Sequence, residues 1–326
     1  MATPVSGIQC RGVGTKAPTI ALSSRVLLAI AVALGLVVGF GEKALAESTQ
    51  GPGERGAAKN TGRWAAERRL ENFDPARFSR PAEVSNAWMP LKPGTRLTYE
   101  GSSVDDEGEP IKRRMQINVT DLTKTIGGIR AVVSWDLDWS DGELVEAELS
   151  FYAQDDSGNV WLMGEYPEEY EDGKLTGNPG WIHGVEGSTA GIAMKAQPKL
   201  GGPSYSQGWG PAVGYTDRAR ADSLGVFTCV PANCYHDVLV IAEGSEEEID
   251  AEQLKYYARG VGNVRVGWRG DGETEKQCRW LTKVEALKTK ELAEIREKAL
   301  ALEKSGYANS KQMYARTPPL QKRSSL

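Results

Sequence analysis

The chain of 326 residues contains only two histidines, His183 and His236. A Ser-His-Asp triad uses a histidine as its general base, so such a triad would have to use one of these two. Ser188 lies five residues after His183, but it directly follows Gly187. It does not stand in the middle of a G-x-S-x-G turn between a strand and a helix. The sequence therefore gives little support to a serine hydrolase.

Long apolar runs are also missing. The apolar segment 26–40 has fifteen residues, whereas a membrane-spanning helix needs about 20. Three basic residues and no acidic residue precede this segment, and the triplet Ala-Leu-Ala at 44–46 follows it. A basic start, a short apolar core and a small-x-small triplet are typical of a secretory signal peptide. We predict that residues 1–46 are a signal peptide cleaved after Ala46; an uncleaved N-terminal anchor is the alternative.

Basic residues are too few for a nucleic-acid-binding protein. The chain has 39 Lys and Arg against 44 Asp and Glu. Loss of residues 1–46, with four basic residues and one acidic residue, takes the formal net charge from −5 to −8. An acidic surface repels phosphate backbones, so we predict no nucleic-acid partner. We predict an exported protein, periplasmic or extracellular, with no stable membrane anchor after cleavage.

Cysteine is scarce, with four in the chain. Cleavage of the signal peptide would remove Cys10 and leave the other three. In an oxidising compartment the close pair Cys229 and Cys234 is predicted to form a disulfide. Pairing of Cys278 with either of them is the alternative. A zinc site is disfavoured because the spacing of Cys229 and Cys234 is wide for a zinc knuckle and no clear second pair of ligands is present.

The sequence is rich in a repeated strand and turn pattern. From Thr95 onward, apolar and polar residues alternate with a period of two, and turns that contain Asp and Gly interrupt the alternation. In residues 133–139, for example, Val, Trp and Leu alternate with Ser and Asp. This pattern is typical of an antiparallel meander. We predict an all-β domain over residues 73–287, which forms a curved half-barrel or a closed barrel because a sheet this long must curl or close.

The regions on either side of this domain have different patterns. Residues 47–72 contain many Gly, Glu, Ser and Thr residues and are predicted to be a linker. Apolar residues recur at helical spacing after Glu285, which predicts an amphipathic helix over residues 288–306. This helix would cap one end of the barrel or bind a partner. The basic residues 307–326 are predicted to form a disordered tail.

Aromatic and acidic side chains of the predicted strands form the candidate site. Asp155, Asn159 and Glu165 lie close together across one predicted hairpin, and both faces of the segment 160–164 are apolar. A strand buried on both faces indicates a covered sheet or an apolar cavity. We predict that a concavity of the sheet binds a hydrophobic or amphiphilic ligand. The predicted ligand-binding residues are Tyr152, Asp155, Asn159, Trp161, Glu165, Tyr256 and Tyr257.

Two other functions stay open. One is an extracytoplasmic hydrolase that uses carboxylates, with or without calcium. Asp136, Asp138 and Asp141 nearly match a calcium loop but are off by one residue, and in a strand Asp136 and Asp138 are expected to face solvent. The other is a structural or partner-binding envelope protein that acts through its C-terminal helix. No catalytic residue is predicted, and calcium is the one cofactor considered.

Several short motifs occur together in the predicted β-domain. They are FYAQD at 151–155, GNVW at 158–161, GE at 164–165, AGIAM at 190–194 and KYYARGVG at 255–262. Together they resemble a family of uncharacterised exported bacterial proteins, over residues 85–287. The resemblance implies an exported β-rich fold and no particular activity, and the loop between Cys229 and Cys234 departs from the family pattern. More distantly, the meander looks like periplasmic half-barrels that hold lipids or lipoproteins.

Overall fold

The computed structural model describes Cys10, Trp64 and residues 68–105, 107–246 and 248–323. The predicted signal peptide, apart from Cys10, and most of the predicted linker lie outside the described residues. The helices are a short 3-10 helix Pro75–Arg77, α1 Thr289–Asn309 and α2 Lys311–Tyr314. The strands are β1 Thr95–Val104, β2 Pro110–Ile126, β3 Ile129–Ser140, β4 Glu143–Gln154, β5 Val160–Glu171, β6 Lys174–Gly177, β7 Trp181–Ile182, β8 Thr189–Met194, β9 Tyr205–Ser206, β10 Gly208–Trp209, β11 Arg218–Val230, β12 Asn233–Gly244, β13 Glu252–Ala258, β14 Gly262–Arg269, β15 Cys278–Ala286 and β16 Gln321–Lys322.

Two antiparallel meanders form one sheet. Strands β1 to β5 make the first meander and β11 to β15 the second, and pairing of β1 with β15 joins them. The path then runs outward through β8 to β10 on one side, and through β11 to β9 on the other. The sheet curls but does not close into a continuous barrel. Of the two predicted architectures, the curved half-barrel is therefore the one that forms.

One short segment covers both ends of the curled sheet. Tyr205–Ser206 pairs with β11, and Gly208–Trp209 pairs with β8. The end strands therefore have backbone partners, which protects them from pairing with another molecule. A Cβ atom on Gly191 would lie 2.3 Å from backbone atoms of Gln207 and Gly208, so the close approach of β8 to this segment requires glycine.

The register of β3 determines which side chains face the interior. Asp136 pairs with Glu148, and Asp138 pairs with Glu146. All four therefore lie on one face, which we call the inner face. The expectation that Asp136 and Asp138 face solvent is wrong, because each is only 8% exposed. The curled sheet covers them, and the tryptophans of β3 lie on the outer face instead.

The predicted C-terminal helix is present as α1. Its apolar residues Ile295, Ala299 and Leu302 are buried, and the helix packs against β2 and β4. It covers the outer face of these strands and does not cap an end of the barrel. The carboxylate of Glu291 accepts a hydrogen bond of 2.9 Å from the backbone N–H of Lys288, which satisfies one free donor at the start of the helix.

The prediction of a disordered tail is wrong as far as Arg323. Helix α2 buries Met313 and Tyr314, and β16 pairs with β2. The Tyr314 ring packs on Tyr166, with ring centroids 4.9 Å apart. The basic and proline-rich composition of the tail obscures these few apolar anchors, and their burial against the sheet orders the segment.

A buried ion pair links the tail and α1 to the sheet. Lys124 Nζ lies 2.8 Å from Glu303 Oε1, and the two side chains are 0% and 6% exposed. The Glu303 carboxylate also accepts hydrogen bonds of 2.9 and 3.0 Å from the backbone N–H of Leu320. Burial lowers the pKa of Lys124, and the hydrogen bond and charge of Glu303 oppose this shift.

We expect Lys124→Met to lower the free energy of unfolding by about 3–5 kcal/mol, because it leaves the Glu303 carboxylate buried without its cation. The double variant Lys124→Met/Glu303→Gln should recover most of this loss, since the amide oxygen of Gln can still accept from Leu320. Urea denaturation measures both. Lys290→Met is the control, because its pair with Glu294 is exposed and should contribute less than about 1 kcal/mol. Equal losses at Lys124 and Lys290 would contradict the expectation.

The disulfide between Cys229 and Cys234 is confirmed and links neighbouring positions of β11 and β12. Cys278 is bonded to Cys10, so its alternative pairing with the other two cysteines does not form. Cys10 belongs to the predicted signal peptide. Cleavage after Ala46 would therefore remove this link and leave the Cys278 thiol unpaired.

After export from a bacterial host, we expect a chain that begins at Glu47 and carries one alkylatable thiol. The thiol should react completely once the chain is denatured, because denaturation removes any shielding by the fold. Intact mass spectrometry with and without denaturant measures both properties, and Cys278→Ser should abolish the labelling. A full-length exported chain without a free thiol would refute the cleavage prediction.

Candidate functional site

The inner face of the half-barrel encloses two adjoining cavities. The inner cavity measures about 330 Å³ and the outer cavity about 270 Å³. Ligand pockets commonly measure about 300–1,000 Å³, so this space suits a small molecule. The two cavities are lined in common by Met115, Glu148, Glu165, Tyr215, Asp217, Glu243, Lys255 and Arg279.

The wall of the inner cavity changes in character along its length. Apolar side chains line one part of it, contributed by the segment before β1 and by β1, β2 and β5. These residues are Met89, Pro90, Leu91, Leu97, Ile117 and Leu162. Four carboxylates line the part shared with the outer cavity, together with Met115, Tyr215, Lys255 and Arg279. The cavity as a whole is amphiphilic.

A ladder of carboxylates crosses β3, β4 and β5 on the inner face. Asp136 lies opposite Glu148, and Ser150, two residues further along β4, lies opposite Glu165. Neighbouring strands are about 4.8 Å apart, so the carboxylates are close enough to repel one another when they are ionised. Like charges at this distance favour protonation.

Three cations face this ladder, and each lies close to a carboxylate. Lys255 Nζ lies 2.5 Å from Glu243 Oε2. Arg113 Nη2 and Arg279 Nη1 lie 3.0 and 3.6 Å from Asp138 Oδ2. Four other carboxylates of the inner face have no ion-pair partner among the residues that the structure describes. They are Asp136, Glu146, Glu148 and Glu165.

Burial is the main cause of the raised pKa values on this face. It raises the pKa of Asp136 to about 8, and the charge of Glu148 adds to the shift. The Ser134 hydroxyl opposes the shift by donating a hydrogen bond of 2.5 Å to Asp136 Oδ1. Burial also raises the pKa of Glu165 well above its usual range, although Trp181 Nε1 donates a 3.1 Å hydrogen bond to Glu165 Oε2. We therefore expect Asp136 to be largely neutral at pH 7.

Three of the predicted ligand-binding residues, Tyr152, Glu165 and Tyr257, line the inner cavity. Tyr256 does not, because successive residues of a strand point to opposite faces. Its ring packs in a cluster of buried apolar side chains that also contains Val240. Whether any of these residues binds a ligand stays a prediction.

Asp155, Asn159 and Trp161 hold a turn and do not line either cavity. Asp155 Oδ1 accepts a 2.9 Å hydrogen bond from the backbone N–H of Asn159, and Asp155 Oδ2 accepts one of 3.0 Å from Trp161 Nε1. Asn159 Nδ2 donates to the same Asp155 oxygen at 2.8 Å. The structure therefore does not bring Asp155 and Asn159 together with Glu165.

The carboxylates of β3 and β4 were not predicted as residues of the candidate site. The signal was present, since acidic residues alternate with Trp and Leu along β3 and recur along β4. The apolar side of this alternation was expected to point inward. In the structure it points outward, where Trp139 is half-buried and the Arg114 guanidinium lies 4.7 Å from its ring.

The described residues contain no group of three or more His, Cys, Asp or Glu side chains arranged to hold a metal ion. Calcium binding stays a sequence-based prediction. Within the same ranges, no helix is long and apolar enough to cross a membrane.

Comparison with known proteins gives no assignment. No family model and no curated protein matches the chain. A solved structure of a predicted exported protein with a YmcC-like fold, from Bacteroides fragilis, aligns at 11% identity with a TM-score of 0.36, over 61% of this chain and 99% of that one. A predicted lipoprotein from Parabacteroides distasonis aligns at 12% identity with a TM-score of 0.32, over 60% of this chain and 97% of that one.

We expect Asp136→Asn to stabilise the protein at alkaline pH. The folded-state pKa of about 8 exceeds the unfolded value of 3.8, so between these values the folded state binds more protons and stability falls as pH rises. The variant lacks this proton linkage. Its advantage over the wild type should be small near the unfolded pKa and should grow to about 1 kcal/mol or more above the folded one.

Urea denaturation across this pH range measures the difference. Glu107→Gln removes an exposed carboxylate of the β1–β2 turn and is the matched control. A wild type whose stability rises between the two pKa values relative to Asp136→Asn would contradict the raised pKa.

Proposed function

We propose that this protein is an exported binding protein that holds one amphiphilic ligand inside its half-barrel. The observation that carries the proposal is the inner cavity of about 330 Å³, which has apolar side chains in one part and carboxylates in the other. A ligand with an apolar body and a polar end matches both parts. The signal-peptide pattern of residues 1–46 supports a periplasmic or extracellular location.

The position of the outer cavity supports a route for the ligand. Its lining includes the exposed residue Thr274 and the partly exposed residues Glu273 and Gly214, which come from connections between strands. The inner cavity adjoins it through shared residues. A ligand that enters past these connections would meet the carboxylates before it reaches Leu97 and Ile117.

Fixed side chains support a cavity that exists before the ligand binds. The ring of Trp181 stacks on Tyr215 with centroids 4.8 Å apart, and its indole N–H orients Glu165. A Cβ atom on Gly208 would lie 2.5 Å from the Trp181 ring, so this glycine lets the ring pack closely. A preformed wall lowers the entropy that the protein loses on binding.

We expect native mass spectrometry of protein purified without detergent to show a bound small molecule, which solvent extraction then releases. Ala193 lines the inner cavity, and Ala193→Phe should fill much of it and abolish the added mass. Ala301→Phe is the control, because Ala301 is exposed on α1. The proposal fails if the wild type carries no added mass and binds none of a set of amphiphiles.

A further inference from the structure

We infer that the polar end of the ligand is a protonated aliphatic amine, which lies against the inner-face carboxylates while its apolar chain occupies the inner cavity. This inference rests on the proposed ligand binding and specifies its chemical class. Ten acidic and only three basic residues line the two cavities. A cationic ligand would offset this imbalance, whereas an anionic ligand would be repelled.

An unpaired carboxylate oxygen points to the same class of ligand. The Asp138 side chain is 11% exposed, and its Oδ2 atom lies 3.0 Å from Arg113 Nη2 and 3.6 Å from Arg279 Nη1. Its Oδ1 atom is also buried but has no hydrogen-bond partner within the described part of the chain. Leaving a buried acceptor unpaired costs about 1–3 kcal/mol, and a ligand N–H donor at the cavity wall would remove this cost.

Each of the three cations of the cavity wall already has a carboxylate partner, although the Nε atoms of Arg113 and Arg279 are buried without a hydrogen-bond partner in the described residues. Lys255 is paired with Glu243, and both arginines are directed to Asp138. Asp136 accepts hydrogen bonds from Ser134, Ser150 and the backbone N–H of Asn118, and Glu165 accepts one from Trp181. Their remaining capacity as acceptors therefore suits a donor that comes from outside the protein.

Aromatic side chains beside the carboxylates would also attract an ammonium group. Tyr152, Tyr215 and Tyr257 line the inner cavity together with Asp136 and Glu165. The face of an aromatic ring attracts cations, most strongly where water is excluded. A neutral alcohol would gain neither this attraction nor the charge compensation.

Binding of an amine should release protons. Without a ligand, burial raises the pKa of Asp136 to about 8 and that of Glu165 well above its usual range, which favours the protonated form of each. An ammonium group favours the ionised carboxylates and displaces these protons. Aliphatic amines stay charged up to about pH 10, so affinity should increase as pH rises. The other titratable or charged groups that line the inner cavity with Asp136 and Glu165 are Tyr99, Glu148, Tyr152, Tyr215, Asp217, Glu243, Lys255, Tyr257 and Arg279.

The test compares three probes of equal chain length, decylamine, decan-1-ol and decanoate, by isothermal titration calorimetry on the exported protein. At about pH 8.5 we expect decylamine to bind at least about tenfold more tightly than decan-1-ol, and decanoate to bind most weakly. Decylamine affinity should fall about tenfold at about pH 5.5. Its binding heat should also depend on the ionisation enthalpy of the buffer, which reports proton release.

Variants separate the charge effect from general apolar binding. Asp136→Asn and Glu165→Gln should each weaken decylamine about tenfold and leave decan-1-ol within about twofold. Two positions are used so that one unfolded variant does not decide the result. Glu294→Gln removes an exposed carboxylate of α1 and should change neither affinity.

The outcomes distinguish this inference from the proposed function. If decan-1-ol or decanoate binds as tightly as decylamine, the cationic head group is wrong and ligand binding stands. The same holds if decylamine binds without proton release or is unaffected by both substitutions. If none of the three probes binds, the proposed function fails together with this inference.

Discussion

Pairing of β1 with β15 is the contact on which the rest of the molecule depends. It joins two meanders that would otherwise be separate sheets, and it brings Tyr99 and Arg279 to the same inner face as the carboxylates of β3 and β4. A Cβ atom on Gly101 would lie 1.9 Å from the carbonyl oxygen of Cys278, so the close contact requires glycine at this position. The enclosed interior follows from this junction.

The interior is unusual because polar side chains occupy the side of the sheet that is normally apolar. Apolar packing is displaced to the outer face, where α1 and α2 cover Phe151 and its neighbours. Burial of several carboxylates opposes folding, and the helices and tail on the outer face supply compensating apolar contacts. The outer face of these strands thus carries the stabilising apolar contacts, and the inner face carries the candidate site.

Sequence periodicity predicted the individual strands and the helix α1. It did not predict the features that depend on contacts between distant parts of the chain. The meander and α1 were predictable because alternation and helical spacing lie within single elements. Alternation alone does not state which face is inside, and this depends on curvature set by the distant pairing of β1 with β15. The ordered tail was missed because Met313 and Tyr314 are two residues in a basic context, and their pocket is formed by other strands. Of four residues that line the inner cavity, Tyr152 and Glu165 were among the predicted ligand-binding residues, while Asp136 and Glu148 were not.

The wall of the half-barrel has few backbone pairs at the segment 205–209. This segment pairs with β11 and with β8 through two residues on each side, whereas β2 and β3 pair along most of their length. Local opening of a protein favours regions with the fewest contacts. Backbone amides of this segment should exchange with solvent before those of β3. Local opening of the wall would therefore begin at residues 205–209 and leave the two meanders intact.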